Sequence, residues 1–324
     1  MTNDEFQARV ERFWQDKARG LLLGQACADG LAVSFGRAVA RAPVNFDDHI
    51  AGDQPLRHTA ATELALGVAE CLSNHQTIRH VDGALLQTYL AHTWWADKQR
   101  CGYGLDDTRL FTAVLDKRDR PEAAVPREGA HPAVPVAPLA LTTLSGPDLL
   151  SAARMCAGQL TQDPLAHAAA AMFASAVATS LAGGPAHTAP RLLVSRLRGA
   201  SGPHGVPAVT TLQQLAAENP SPSEAGRELL AETLGATGPV AAAVYAFLRH
   251  PDHPREAIRY AVHLHGSTPT IAAMTGALAG ARHGVRALPT NWRKRLARAD
   301  SIEALADRLA QRHSGLQSTL VRQR

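Results

Sequence analysis

Aromatic residues make up only 5% of this 324-residue chain, and charged residues 19%. Alternating β-branched runs are few, so an extended sheet is not expected. Cysteine is scarce: Cys27, Cys71, Cys101 and Cys156 have no C-x-x-C spacing and no evident pairing. That excludes a recognisable cysteine framework and fits a reduced, cytoplasmic setting. The opening MTNDEFQARVERFWQDKARG is charged and helix-like, and so does not read as a signal peptide. The most apolar segment, Leu165 to Leu181, contains His167 and is rich in Ala and Ser. It is expected to be a buried core helix and not a membrane span. Charge of one sign is lacking too: 33 Lys and Arg face 29 Asp and Glu, a net +4. The densest basic groups, Arg191-Arg196-Arg198 and Arg293-Lys294-Arg295-Arg298, fit solvated helix faces. With neither a basic stripe nor a known module, nucleic-acid binding is not expected.

Alanine and leucine dominate what is present, and their spacing predicts helices throughout. A first helix is expected over about Asp4 to Ala28, with Phe6, Val10, Phe13, Trp14 and Leu21 inward. Others are expected near 60–73, 77–95, 147–158, 164–182, 224–234, 238–249, 254–264 and 269–283. Five prolines among many charges make Asp116 to Pro138 read as a surface loop. The region 187–223 reads as a helical patch at 189–198, a Gly/Pro loop, then a second patch from Thr211 to Glu218. Gly183-Gly184-Pro185 should stop the helix before it. Asp300-Ser301-Ile302-Glu303 has a capping-box pattern opening an amphipathic helix, with Ile302, Leu305 and Leu309 inward. The expectation is one domain over 1–313, followed by a flexible basic tail over 314–324.

Several fragments carry more than composition. Residues 263–292 read HLHGSTPTIAAMTGALAGARHGVRALPTNW: a turn at Gly266-Ser267-Thr268, an Ala/Gly-rich helix, then a late Pro289 and Trp292. Residues 20–32 read GLLLGQACADGLA, residues 58–72 HTAATELALGVAECL, and residues 100–108 RCGYGLDDT. Residues 129–141 read GAHPAVPVAPLAL, and residues 160–166 LTQDPLA. Taken in order, these resemble the ADP-ribosylglycohydrolase family of the dinitrogenase-reductase-activating type over nearly the whole chain. The resemblance implies a compact, single-domain, all-α fold and a binuclear magnesium site that cleaves an ADP-ribosyl bond.

The departures from the family pattern fall on its polar positions. The first metal motif, T-D-D-T, keeps Thr59 and Thr62 but has Ala60 and Ala61 between them. The second, G-D-T-D-T, keeps Gly266, Thr268 and Thr270 but has Ser267 and Pro269 where aspartates belong. Hard cations need several oxygen ligands, largely carboxylates, and neutral hydroxyls are no substitute. No metal site and no cofactor are therefore expected. In the loop of G-N-G-A-A-M-R type, Gly129 remains, while Ala130, His131 and Pro135 replace the Asn, the second Gly and the Arg. Prolines there remove backbone donors that would meet a pyrophosphate. The resemblance further implies a cleft lined by Thr59, Thr62, Gly102, Tyr103, Gly104, Gly129, His131, Gly266, Ser267, Thr268 and Thr270.

Two readings of these motif residues stand side by side. As helix starts stripped of carboxylates, they would present amides and hydroxyls to an anion such as a phosphate or carboxylate. As ordinary caps, Thr59 and Ser267 or Thr268 would need no ligand, with Pro269 suited to a first turn. His58, His263 and His265 flank the motifs and are candidates for a zinc triad or a general base, against plain surface or core roles. Asp29 matches a family position, and a core hydrogen bond or cap would explain it. Leu105-Asp106-Asp107-Thr108 mimics T-D-D-T but reads as a helix start, with its acids at the positive end of the dipole. The function expected is a catalytically inactive relative that binds an anionic, ADP-ribose-like small molecule or a protein partner, with no membrane role. The alternative is an active hydrolase of an ADP-ribosyl or related N-glycosidic bond, using a metal-independent or rearranged site.

Overall fold

The computed structural model describes residues 3–75, 82–97, 101–117, 131–142, 146–183 and 189–322. Gly20 and Gly24 on one side, and Gly276, Gly280 and Gly284 on the other, set its central contact. Each would drive a methyl group into the facing backbone or, for Gly284, the Asp16 side chain. Glycine alone lets two backbones approach so closely. The helices they join are α1 (Asn3–Val39) and α12 (Thr268–His283), which run antiparallel because Gly20 meets Gly280 and Gly24 meets Gly276. Both are buried all round where they cross, with Gln25 and Thr275 enclosed among mostly apolar neighbours; residues 271–281 of α12 are wholly buried.

Around this pair pack α14 (Ala299–Arg322) on the α1 side, and α7 (Pro164–Ala182), α10 (Thr237–Arg249) and α11 (Pro254–Val262) on the α12 side. A second group holds α3 (Ala60–Asn74) between α4 (Gly83–Asp97), α14 and a 3-10 helix at His131–Leu141. The remaining elements are α2 (Phe46–Ala51), α5 (Leu105–Leu115), α6 (Gly146–Gly158), α8 (Ala189–Glu218), α9 (Pro222–Leu229) and α13 (Thr290–Arg295), with short 3-10 turns at 232–234 and 285–287. Among the described residues there is no strand, only an isolated bridge between Leu56 and Leu296. The all-α expectation holds. So does the buried α7, which is long and apolar enough to cross a membrane by composition but has about two thirds of its residues inside the protein.

Four segments differ from the sequence expectation. Helix α1 continues eleven residues past Ala28, to Val39. The proline-rich stretch is not a surface loop where it is described: His131–Leu141 winds as a 3-10 helix, with 132–139 buried. Prolines at 132, 135 and 138 recur every third residue, which is one turn of a 3-10 helix, and their fixed φ suits it. Between 189 and 218 two helices meet at a sharp kink, where the non-helical Gly202 with φ 55° stands in place of the expected longer Gly/Pro loop. The kink keeps Leu193 and Leu197 on one arm, and Ala208, Val209, Leu212 and Leu215 on the other, buried. At the C-terminus α14 opens at Ala299 and stays helical to Arg322, past the boundary expected at 313; Ile302, Leu305 and Leu309 face inward as expected.

Candidate functional site

Thr59 occupies the N-cap position of α3, yet its hydroxyl makes no cap bond. Asp29, fully buried on α1, takes it instead. One carboxylate oxygen, Oδ2, accepts from the Thr59 amide at 2.9 Å, the Thr59 hydroxyl at 3.0 Å and the Thr62 hydroxyl at 2.6 Å. The other oxygen, Oδ1, is buried with no partner among the described residues. Burial pushes the Asp29 carboxyl up, and this outweighs the donors from Thr62 and Thr59 that pull it down. Of the two bland readings of Asp29, the core hydrogen bond is the one observed.

The rest of the α3 start is closed. Ala60 and Ala61 are 4% and 3% exposed, and the Ala60 amide donates to the Cys101 carbonyl at 2.7 Å. The amides of Thr59 and Ala60, the first donors available to an anion there, are thus already used. Glu63, one turn into the helix, has partners of its own. Its Oε2 pairs with His58 Nε2 at 2.6 Å and its Oε1 with the Arg298 guanidinium at 2.7 Å. Burial pushes the Glu63 carboxyl up, but the hydrogen bonds and charges of His58 and Arg298 together hold it below its usual range.

The start of α12 is different in character. Ser267 is exposed, and Thr268, Pro269 and Thr270 are half-buried. Ser267 sits at the N-cap with no side-chain cap bond, so neither motif is capped in the way the bland reading supposed. His265 and Gly266 take successive left-handed conformations, φ 67° and 64°, making the sharp turn expected before the helix. The Thr268 amide closes that turn onto the Gly266 carbonyl at 2.7 Å.

Both motifs approach the same end of α1. Thr59 and Thr62 bind Asp29 there, while His263, just before α12, packs its ring against Phe35 and Phe46. No hydrogen bond among the described residues joins the two motifs. The three flanking histidines do not meet. His58 is buried on Glu63, whereas His263 and His265 line a separate surface pocket of about 480 Å³ with His250, Glu256, Arg259 and Tyr260. Among the described residues no cluster of metal-type ligands includes His263 or His265.

The G-Y-G segment caps the neighbouring helix. Gly102 is exposed with φ 70°, Tyr103 sets its ring edge-on to Phe111, and the Gly104 amide donates to Asp107 Oδ2 at 3.0 Å to open α5. The decoy Leu105-Asp106-Asp107-Thr108 is therefore a helix start, as expected. Gly129 lies outside the described residues, as does the side chain of His131, whose backbone begins the 3-10 helix.

The sequence profile of the ADP-ribosylglycohydrolase family matches residues 11–319. The chain belongs to the ADP-ribosylglycohydrolase family. A mouse (Mus musculus) protein, ADP-ribosylhydrolase ARH3, is 35% identical over 80 residues, 22% of this chain and 22% of that protein. The match thus spans about a fifth of that relative's length. A solved structure titled ADP-ribosylglycohydrolase-related protein complex superimposes with a TM-score of 0.66 at 25% identity, covering 93% of this chain and 99% of that one. The family's fold is therefore present along essentially the whole described molecule.

Sequence reasoning reached Thr59, Thr62 and Asp29, but missed Glu63, Cys101 and Arg298. Their spacing carries no motif: Arg298 lies 235 positions from the Glu63 it binds. Three distant segments meet here: Leu56 pairs with the 295–297 stretch, and the Cys101 carbonyl accepts from the Ala60 amide.

Proposed function

We propose that this chain is a catalytically silent member of the family that acts by binding. The observation that carries the proposal is the state of the α3 start: buried methyl groups at Ala60 and Ala61, and an Asp29 carboxylate already engaged by Thr59 and Thr62. Binuclear magnesium in the family manner requires several carboxylate oxygens around each ion. The residues present do not fit it: at the first motif Asp29 is taken by Thr59 and Thr62 and Glu63 by His58 and Arg298, and at the second Ser267 and Pro269 supply no carboxylate.

The ligand class proposed is an anionic, ADP-ribose-like small molecule, met at the start of α12. An exposed Ser267 and a half-buried Thr270 stand there at the positive end of a 16-residue helix, where the motif's two aspartates, which would repel an anion, are replaced by Ser267 and Pro269. The setting proposed is the cytoplasm, which fits four buried cysteines that form no disulfide with one another. Isothermal titration with ADP-ribose tests the proposal. Heat of binding that is independent of Mg²⁺ and weakened in Ser267→Asp, together with no release of ADP-ribose from modified protein, is the expected result. Mg²⁺-dependent release of ADP-ribose would overturn it, and silence toward ADP-ribose would leave a protein partner as the binding target.

A further inference from the structure

We infer that His58, Glu63 and Cys101 form a binding site for a soft divalent cation, zinc in the first place, distinct from the family's magnesium motifs. A ring nitrogen of His58, a carboxylate oxygen of Glu63 and the Cys101 sulfur all lie within 4.8 Å of one another, and all three residues are buried. The inference does not depend on the ADP-ribose reading.

Two features mark this as a ligand site and not merely a packed polar cluster. The His58 side chain is 3% exposed, yet its Nδ1 is buried with no partner among the described residues, while Nε2 holds Glu63. Such a ring is under-satisfied as it stands, and because its Nε2 already lies on Glu63, an ion bound by both takes the place of that hydrogen bond while the ring proton moves to Nδ1. The second feature is how firmly each donor is placed. His58 follows Leu56, which is clamped by backbone bonds of 2.9 Å to Arg295 and Ala297. Glu63 is on the first turn of α3, and the Cys101 carbonyl holds the Ala60 amide of that same turn. Arg298, in a left-handed conformation at φ 63°, places its guanidinium on the far oxygen of Glu63.

The donor set selects the ion. Imidazole nitrogen, carboxylate oxygen and thiolate sulfur together suit zinc and disfavour magnesium or calcium, which take oxygen alone. Metal–ligand bonds of about 2.0–2.3 Å place tetrahedral donors roughly 3.3–3.7 Å apart. The cluster therefore contracts by about 1 Å on binding, and the His58–Glu63 hydrogen bond opens by a similar amount. Binding displaces the Cys101 thiol proton and leaves both imidazole and carboxylate unprotonated, so protons are released to solvent. Arg298 stays on Glu63 as an outer partner that orients it. Entry is through a groove of about 840 Å³ between α3, α4 and α14, to whose walls Glu63 and Arg298 both contribute. The ion would tie together segments 54–59, 101–104 and 295–298.

Metal-stripped full-length protein titrated with Co²⁺ gives a direct reading, because a thiolate ligand adds an intense near-ultraviolet charge-transfer band. The expected result is that band, at one ion per chain and displaced by Zn²⁺. In Cys101→Ser the band is lost, and zinc affinity falls by about 100-fold or more, beyond the effect of losing an outer partner. Glu63→Gln and His58→Gln weaken zinc in the same direction. X-ray absorption on the wild-type zinc complex guards against variants that fail to fold: one sulfur and nitrogen or oxygen neighbours are expected. No charge-transfer band in the wild type, a band that survives Cys101→Ser, or a zinc shell without sulfur overturns the proposal.

Discussion

Asp29 concentrates the energetics of the site in one side chain. Its Oδ2 satisfies a backbone amide and two hydroxyls, so deleting the carboxylate strands three donors at once. Asp29→Ala is expected to cost about 2–5 kcal/mol in urea unfolding. Asp29→Asn keeps an acceptor and removes a buried charge, so it should stay within about 1 kcal/mol of wild type. Equal losses in both variants would show that the charge, and not the acceptor, holds the site. Glu63 titrates in the opposite sense to Asp29. Its pKa is depressed, so its contribution to stability is complete above the unfolded carboxylate value and is lost as pH falls through the folded value. Unfolding midpoints followed from about pH 6 to about pH 3 should fall less steeply in Glu63→Gln than in wild type. The residues of this network show why sequence reading stops where it does. Asp29 could be named because it sits in a patterned stretch, but nothing in a linear sequence pairs Glu63 with Arg298. Burial of Ala60 and Ala61, in contrast, is what an apolar replacement leads one to expect.

At the scale of elements, the α1–α12 contact rests on spacing by four in Gly20-x-x-x-Gly24 and Gly276-x-x-x-Gly280-x-x-x-Gly284, which puts glycines on one face; that contact was not among the expectations from sequence. Gly280→Ala forces a methyl into the Gly20 carbonyl, and is expected to destabilise by about 1–3 kcal/mol. Gly36→Ala, on the same α1 but with nothing within 4 Å of the added carbon, should instead gain about 0.5–1 kcal/mol. Thermal melts of the two variants shifting in the same direction would contradict the close-approach argument. The 3-10 helix at 131–141 was illegible for a definite reason. Proline is read as a breaker of α-helices, whereas its period of three is compatible with the tighter winding. The run through Gly202 hid for a related reason: the local Gly/Pro signal marks a kink, and tertiary burial on both arms decides that the helix resumes.

At the scale of the molecule, a fold that belongs to the ADP-ribosylglycohydrolase family carries a start of α3 with no carboxylate of its own at 60 and 61. The family could be read from ordered fragments because glycines and prolines at helix crossings and turns constrain the backbone, whatever the chemistry. The site could be read only as a set of departures, since what now fills the space depends on contacts across the chain. The central claim is that hard-cation chemistry has been lost from this scaffold. Isothermal titration of the purified, metal-stripped chain with Mg²⁺ tests it most directly. The account predicts no saturable heat and no change in melting temperature; saturable, tight Mg²⁺ binding would contradict it and return the chain to the metal-dependent hydrolases of its family.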